Sequence, residues 1–525
     1  MRTTRHAIGM SAPFGLAAIM IMVCFTSRVR AVDWSQYNGP LGDVSSPESI
    51  RTNWTAQPPK VLWRQSIGPG WSSISTGGGR LFTQARRQTA EGPREFCVAL
   101  DAVTGAELWA RDLDVSDYTD ISQTDRRADG PRSTPTVSGD FVYVYTSQLR
   151  LYCLAAADGS LVWSRDFREE LGSQNIPWEN AASPLLVGDL IYLNSNGGSR
   201  RLTAINKNDG KTVWSNLGDR LTHATPIYAT LHGVPQVVFL TRSGLVSVLP
   251  DTGALLWRLE FSPSSTSTAA SPSVAGDYVY ASAAYGSGTW IGRVTKNGET
   301  FSASLVLQQQ ATEYQAHWAT PVAKEGFFYA VPAPNSGQGR LACLEAATAV
   351  NRWTRSVVGS SEISYGSVIK AANTLIVLTE GGELVLVEAN PKAYTETARF
   401  KVLSAYCWNR PVLANGRIYV RNSAVNSEIV ALDVSPPSVP VPPLTLSASI
   451  GTAGVLELLI QAVDGTPLNA SHLDRLQLVT SVDVGTAREA WSAMDQSLTV
   501  TDRGIRAGVT LLPEQARFIT VRVKP

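Results

Sequence analysis

Charge is scarce in this 525-residue chain. Only 17% of residues are Asp, Glu, Lys or Arg, against 44% apolar ones. That balance disfavours a disordered or coiled-coil protein and favours a strand-rich globular one. No basic block occurs, so nucleic acid has no electrostatic footprint to grip and is not an expected partner. Beyond an apolar N-terminal segment no 18-residue apolar run exists, and no transmembrane span is expected. The sequence contains no G-x-S-x-G, H-E-x-x-H or G-x-x-x-x-G-K-[ST] motif, so hydrolase and nucleotide-binding readings have no anchor. Cysteine is sparse, five residues in all, and no two are adjacent.

The first 31 residues read as an export signal. Arg2 and Arg5 precede an apolar run from Pro13 to Phe25, and small or apolar residues at Val29 and Ala31 place cleavage after Ala31. A lipoprotein reading through Cys24 is disfavoured by bulky Val23 directly before it. The mature chain then carries 41 basic against 44 acidic side chains, a net of −3. It is expected to be exported, periplasmic or extracellular, and monomeric. Export permits disulfides, but Cys153 and Cys343 stand at the same place in two distant repeats, six residues before Gly159 and Ala349. With Cys97 on a nearby register, they read as small buried core residues.

What the chain does contain is one phrase, repeated. Gly105, Gly159, Gly210 and Gly253 each stand four residues before a Trp, namely Trp109, Trp163, Trp214 and Trp257; Trp353 follows Ala349 at the same interval. Counted from Trp63, the Trp spacings are 46, 54, 51, 43 and 96, the last being two periods. Phe301 and Phe400 fall near the anchor position of the two repeats that lack a Trp. A second motif precedes each turn, as in "STPTVSGDFVYV", "ASPLLVGDLIYL" and "RPVLANGRIYV": a Pro, then a β-branched and aromatic strand. Short alternating runs broken by Gly, Asn and Asp mean antiparallel strands joined by tight turns. Eight copies at this period predict an all-β, eight-bladed β-propeller over residues 32–434. The last copy lacks its outer strand, whereas "KVLWRQS" near the N-terminus has that strand and nothing before it. The N-terminal strand is therefore expected to complete the eighth blade and leave no open edge. Residues 435–443 read as a Pro-rich linker, and residues 444–525 as a small C-terminal β-sandwich-like domain.

These blade phrases, with "LDAVTGAELW", "GGELVLVEANP" and the leader-like "DWSQYNGPLGD", resemble the pyrroloquinoline-quinone-like propeller repeats of secreted bacterial proteins. The resemblance covers about Asp33 to Val434. It implies one of two functions. One is a binding or scaffold protein, as in the non-enzymatic propeller of the outer-membrane β-barrel assembly machinery. The alternative is an alcohol or sugar dehydrogenase using pyrroloquinoline quinone with calcium. Many such dehydrogenases hold the quinone near a disulfide between adjacent cysteines, which this chain lacks. Glu179 and Asn180 are the nearest to a set of calcium ligands, and no catalytic residues can be assigned.

Aligning the repeats on the inner-strand Pro locates a site. Two residues before the Ser, Thr or Arg that precedes the Pro, the blades show Trp71, Arg132, Ala181, His223, Ala269, Trp318, Tyr365 and Trp408. Six of the eight are aromatic, imidazole or guanidinium groups entering the innermost strands, so they should ring one mouth of the central channel. Asn180, His317 and Arg410 are close neighbours. Such a ring would plug the channel, bind a planar or anionic small molecule or a protein segment by stacking and an Arg fork, or seat a quinone. A metal at His223 and His317 is not expected, because tetrahedral sites need three or four converging ligands.

Titration of the denatured, unreduced mature protein is expected to give four free thiols. Fewer would mean that the repeat alignment misplaces at least one Cys.

Overall fold

The Gly-x-x-x-Trp phrase folds as a tight turn leading into an outer strand that bulges just before its Trp. The computed structural model describes residues 32–116, 129–263, 268–309, 314–332, 340–355, 365–404, 406–423, 426–436 and, in the C-terminal region, 444–450, 455–468, 472, 476–481, 492–493, 498–501, 504–510 and 518–523. The export signal and all but the first two residues of the Pro-rich stretch lie outside the described residues. In the turns, Gly105, Gly159, Gly210 and Gly253 have φ between +68° and +76°, a region that costs other L-residues energy. Ala349 replaces Gly in one repeat and takes φ +57°.

The register across each sheet explains the Trp. Trp109 lies opposite Ala99 and Ala99 opposite Phe82. The corresponding rows are Tyr143–Cys153–Trp163, Tyr192–Ala204–Trp214, Tyr329–Cys343–Trp353 and Tyr419–Ala431–Trp63. A small central residue lets the two flanking rings approach, with centroids 5.9–6.1 Å apart in all five rows. Two of those small residues are cysteines, which is their packing role. Cys97, Cys153, Cys343 and Cys407 are all buried and free.

Each Trp then clasps the next sheet. A Cβ built on Gly159 would stand 2.6 Å from the Trp109 ring; for Gly210 and Trp163 the approach is 2.8 Å, for Gly253 and Trp214 it is 2.4 Å, and for Gly105 and Trp63 it is 2.6 Å. The turn glycine is thus required twice, for its φ and for the neighbouring indole. Trp109, Trp163, Trp214 and Trp353 also donate Nε1–H to carbonyls of the following turn, at Ala156, Lys207, Pro250 and Asn390. Phe301 and Phe400 do not take the anchor position. The bulge falls just before the anchor row in these sheets too, but their hairpins are longer: Cys153 and Trp163 stand 10 residues apart, Ile291 and Leu307 16, Leu386 and Ala398 12, so Leu307 and Ala398 take the anchor row.

These units assemble into a β-propeller of four-stranded antiparallel sheets. Among the described residues, eight such sheets run from Ser75–Val115 to the sheet of Val412–Ala414, Arg417–Arg421, Glu428–Asp433 and Lys60–Ser66. In the last of these, N-terminal strand Lys60–Ser66 pairs with Glu428–Asp433, so the chain ends join by hydrogen bonds. Arg421 fastens the same junction. It is 0% exposed and donates to the carbonyls of Gly68, Ser72 and Gln84 and to Thr83 Oγ1 in the first sheet.

The segment before that strand crosses the base of the ring. Ser35 O accepts from Val137 N–H, and Gln36 Oε1 from Leu186 N–H. Asn38 donates to Ser271 Oγ, and Val44 O accepts from Lys370 N–H. Ser45–Ser46 add a parallel edge to the sheet of Ser367–Lys401. The Glu48 carboxylate accepts the N–H groups of Asn415 and Gly416.

Contacts divide the chain into two compact units, one spanning Arg30–Ser438 and one containing Val439–Pro525. The second holds a sheet of Leu444–Ile450, Val455–Ala462, Gly504–Thr510 and Thr499–Thr501, and another of Ser492–Ala493, Leu476–Ser481 and Phe518–Val523. Leu458, Ile460, Leu476, Leu478 and Ile505 form its core. Among the described residues no helix is long and apolar enough to cross a membrane.

Three substitutions test the clasp. Gly188 and Gly210 both have left-handed φ, but nothing lies within 4 Å of a Cβ on Gly188, whereas Gly210 faces Trp163. In chemical denaturation, Gly188→Ala is expected to cost about 1–2 kcal/mol for its backbone alone, and Gly210→Ala measurably more. Trp163→Ala should cost about 3–5 kcal/mol. Equal costs for the two glycines would remove the clasp from the account.

Candidate functional site

A belt of hydroxyls sets the level of the mouth. Ser73 N–H donates to Thr134 Oγ1, Thr134 N–H to Ser183 Oγ, Ser183 N–H to Thr225 Oγ1, and Ser271 N–H to Thr320 Oγ1, at 2.9–3.1 Å. Arg410 N–H adds a fifth link, across the last and first sheets, by donating to Ser73 Oγ at 2.9 Å. These are the residues directly before the repeated Pro or its equivalent. Their hydroxyls accept the one inner-strand N–H that the sheet ladder leaves over.

With that belt fixed, the residue two positions earlier must face the mouth. Trp71, Arg132, His223, Trp318, Tyr365 and Trp408 do converge there, lining one cavity of about 250 Å³ with Ala181 and Ala269. His317 lines it too. Asn180 and Arg410 do not. The Asn180 amide turns into the backbone, donating to Thr146 O and Ala182 O and accepting from Ala182 N–H. Arg410 lies beneath the cavity, 3% exposed, where it donates to Tyr37 O, Asn38 Oδ1 and Thr320 Oγ1. Its guanidinium is 4.1 Å from the centre of the Tyr37 ring, and Tyr37 forms part of the lining. Arg410 occupies a belt position, not a mouth position, and so holds the leader instead of facing a ligand.

The mouth is lopsided. Trp71 stacks on Trp408 at 4.3 Å and 22°, Trp408 meets Trp318 at 4.6 Å, and Trp318 meets Tyr365 at 5.0 Å. These rings from four adjacent sheets pack on one another and fill their half. In the other half Ala181 and Ala269 stand where large rings would, and both line the cavity. The plug and the pocket are therefore both present, side by side.

Its charges are paired. Arg132 Nη2 lies 2.9 Å from each Asp129 oxygen, and Nη1 is 3.8 Å from Glu179 Oε2. Asp129 Oδ1 also accepts from Trp71 Nε1 and Gly130 N–H. The Arg fork expected to hold an anion is thus already spent on two carboxylates. Asp129 was not singled out from the sequence; its place three residues before Arg132 was the available signal. Burial lowers the His317 pKa to about 4, so its ring is neutral at pH 7. Neither of its nitrogens has a hydrogen-bond partner among the described residues. On the lip, Trp178 and Tyr285 are 38% and 56% exposed and line the cavity at φ +70° and +54°.

A calcium-bound quinone does not fit these residues. The Asp129 oxygens are committed to Arg132 and Trp71, the Asn180 oxygen is committed to Ala182 N–H, and Glu179 faces Arg132. Among the described residues no three His, Cys, Asp or Glu side chains converge to hold a metal.

The family described as outer membrane protein assembly factor BamB matches residues 94–320. The BamB of Moranella endobia (strain PCIT) is 24% identical over 391 residues, covering 71% of this chain and 90% of that relative. The BamB of Yersinia pestis is 29% identical over 218 residues, covering 39% and 49%. Among solved structures, the quinohemoprotein alcohol dehydrogenase of Comamonas testosteroni aligns with TM-score 0.51 at 14% identity, over 81% of this chain and 84% of that one. At that identity the likeness is one of fold.

The depressed His317 pKa has a sign. An unfolded His binds its proton near pH 6.5, the folded one only near pH 4. Stability from this group is therefore complete above pH 6.5 and is lost as pH falls towards 4. Thermal melts should show the parent losing more stability over that window than His317→Gln. Equal losses would mean that His317 is not held neutral.

Proposed function

We propose that this chain, a β-propeller with pyrroloquinoline-quinone-like repeats, is an exported binding or scaffold protein that receives its ligand at the lopsided mouth. The observation that carries this reading is the mouth itself, a cavity that one half lines with stacked rings while the other has Ala181 and Ala269 at the corresponding positions. A cavity walled by aromatic and polar side chains, with its ion pair already made, is built to recognise. Among the described lining residues no nucleophile is paired with a base of the kind that acyl or phosphoryl transfer requires. The relatives named as outer membrane protein assembly factors support a role alongside other proteins of a bacterial envelope. The N-terminal signal read from the sequence supports export to that compartment, with the propeller at 32–434 and the domain at 444–525 joined by the Pro-rich linker.

Replacing Trp178 with a photoreactive phenylalanine, in the host cell, is expected to capture a ligand or partner that the same probe at Leu41 does not. Equal labelling from both positions would count against the mouth. In parallel, titrating the purified protein with pyrroloquinoline quinone and Ca²⁺ should leave the quinone spectrum unchanged and give no dye-linked alcohol or sugar oxidation. A bound quinone spectrum would favour the dehydrogenase reading instead.

A further inference from the structure

The composition of the cavity wall narrows the ligand. Among the described lining residues there is no Leu, Ile, Val, Met or Phe. A socket for a hydrocarbon or a phenyl group would be walled by such side chains. Here every lining residue except the two alanines carries an N–H, a hydroxyl, an imidazole or a charged group beside whatever ring it has. The ligand must therefore offer flat apolar faces and hydrogen-bonding edges at once.

Charge narrows it further. Arg132 is matched by Asp129 and flanked by Glu179, so an anion would meet carboxylates and a cation would meet the guanidinium. His317 is 2% exposed and lines the cavity with no hydrogen-bond partner among the described residues. A neutral imidazole has one donor and one acceptor nitrogen, and hydroxyl groups complement both. Two exposed rings, Trp178 and Tyr285, stand on the lip in left-handed backbone that their residue types rarely adopt, the kind of strain found where a ligand is gripped. The volume, about 250 Å³, lies just below the roughly 300–1,000 Å³ of drug-sized sites and suits one substituted ring.

We propose that the mouth pocket binds a single uncharged pyranose ring, its C–H faces against the lip aromatics and its hydroxyls on His317. The inference rests on the mouth being the recognition site. The ring is either a free monosaccharide or the end unit of a glycan.

Tryptophan fluorescence and calorimetry on the full mature protein would test it. The probes are glucose, galactose, mannose, N-acetylglucosamine and the β-1,4 tetramers of glucose and N-acetylglucosamine, with glucuronic acid, glucosamine and indole for comparison. At least one neutral sugar should bind, at least tenfold tighter than glucuronic acid and glucosamine. Ala181→Leu and Ala269→Leu should each weaken it at least tenfold with the melting temperature kept, and so should His317→Ala. A tetramer binding tenfold tighter than its monomer identifies a glycan end, and equal affinities identify the free sugar. Silence from every neutral sugar at 100 mM, or binding untouched by both Ala→Leu variants, overturns the proposal. Indole or glucuronic acid binding that Ala181→Leu abolishes, with the neutral sugars silent, also overturns it but leaves the mouth as a recognition site. If no probe binds and Trp178 captures nothing in the cell, the wider reading fails too.

Discussion

The inner face of this propeller depends on a surplus N–H. Where the first strand of a sheet begins, one backbone donor points across the channel wall with no ladder partner, and burying it unpaired would cost about 1–3 kcal/mol. The hydroxyl of the adjacent sheet accepts it, and that sheet's own N–H passes the debt along, from Arg410 to Ser73, Thr134, Ser183 and Thr225. The belt fixes the height of the sheets relative to one another. Because the height is common, side chains two residues upstream arrive at one level, although Trp71 and Trp408 are more than 300 residues apart in sequence. Recognition chemistry at the mouth is possible only on that footing.

On the outside the same problem of joining sheets is solved with indole rings. The Trp clasp couples a large apolar plate to a turn that must be Gly, and it explains why the two residues recur together. It also explains why the phrase can lapse. Where Leu307 and Ala398 take the anchor row, the next sheet no longer faces a ring, and Ala349 can replace the turn glycine after Leu307. The belt tolerates one lapse too. Arg410 has no hydroxyl, but its backbone N–H keeps the link to Ser73 while its long side chain reaches the leader.

Much of this was legible in one sequence because a repeat reports its own geometry. Period, turn and Pro register were enough to bring six distant side chains to one cavity and to predict the strand that closes the ring. What escaped was whatever depends on a side chain's direction. Arg410 lies one residue from Asn409 and two from Trp408, yet it points under the floor. Asn180 turns into its own backbone. The belt hydroxyls looked like small fillers, because spacing carries no record of which polar atom accepts from which donor. Phe301 and Phe400 misled for a related reason: the hairpins of their sheets are longer than the others, and counting Trp-to-Phe intervals cannot see how those extra residues divide between strand and turn. The pairing of Arg132 with Asp129 converted an expected anion grip into a neutral wall.

The course of the leader has a consequence for how the molecule comes to be folded. Residues 33–48 are made before any of the sheets, yet their partners lie as late as Asn415 and Gly416. They cannot dock until nearly the whole ring exists. The strand that follows them, Lys60–Ser66, waits for Glu428–Asp433. Contacts of such long sequence separation are slow to form, since loop closure must precede any reward. During that interval the first sheet lacks its Trp63 neighbour and the last lacks its outer strand, leaving sheet edges open to other chains. Assembly of this protein is therefore gated by its slowest closure, and a chain crossing a membrane unfolded would need guarding until its two ends meet.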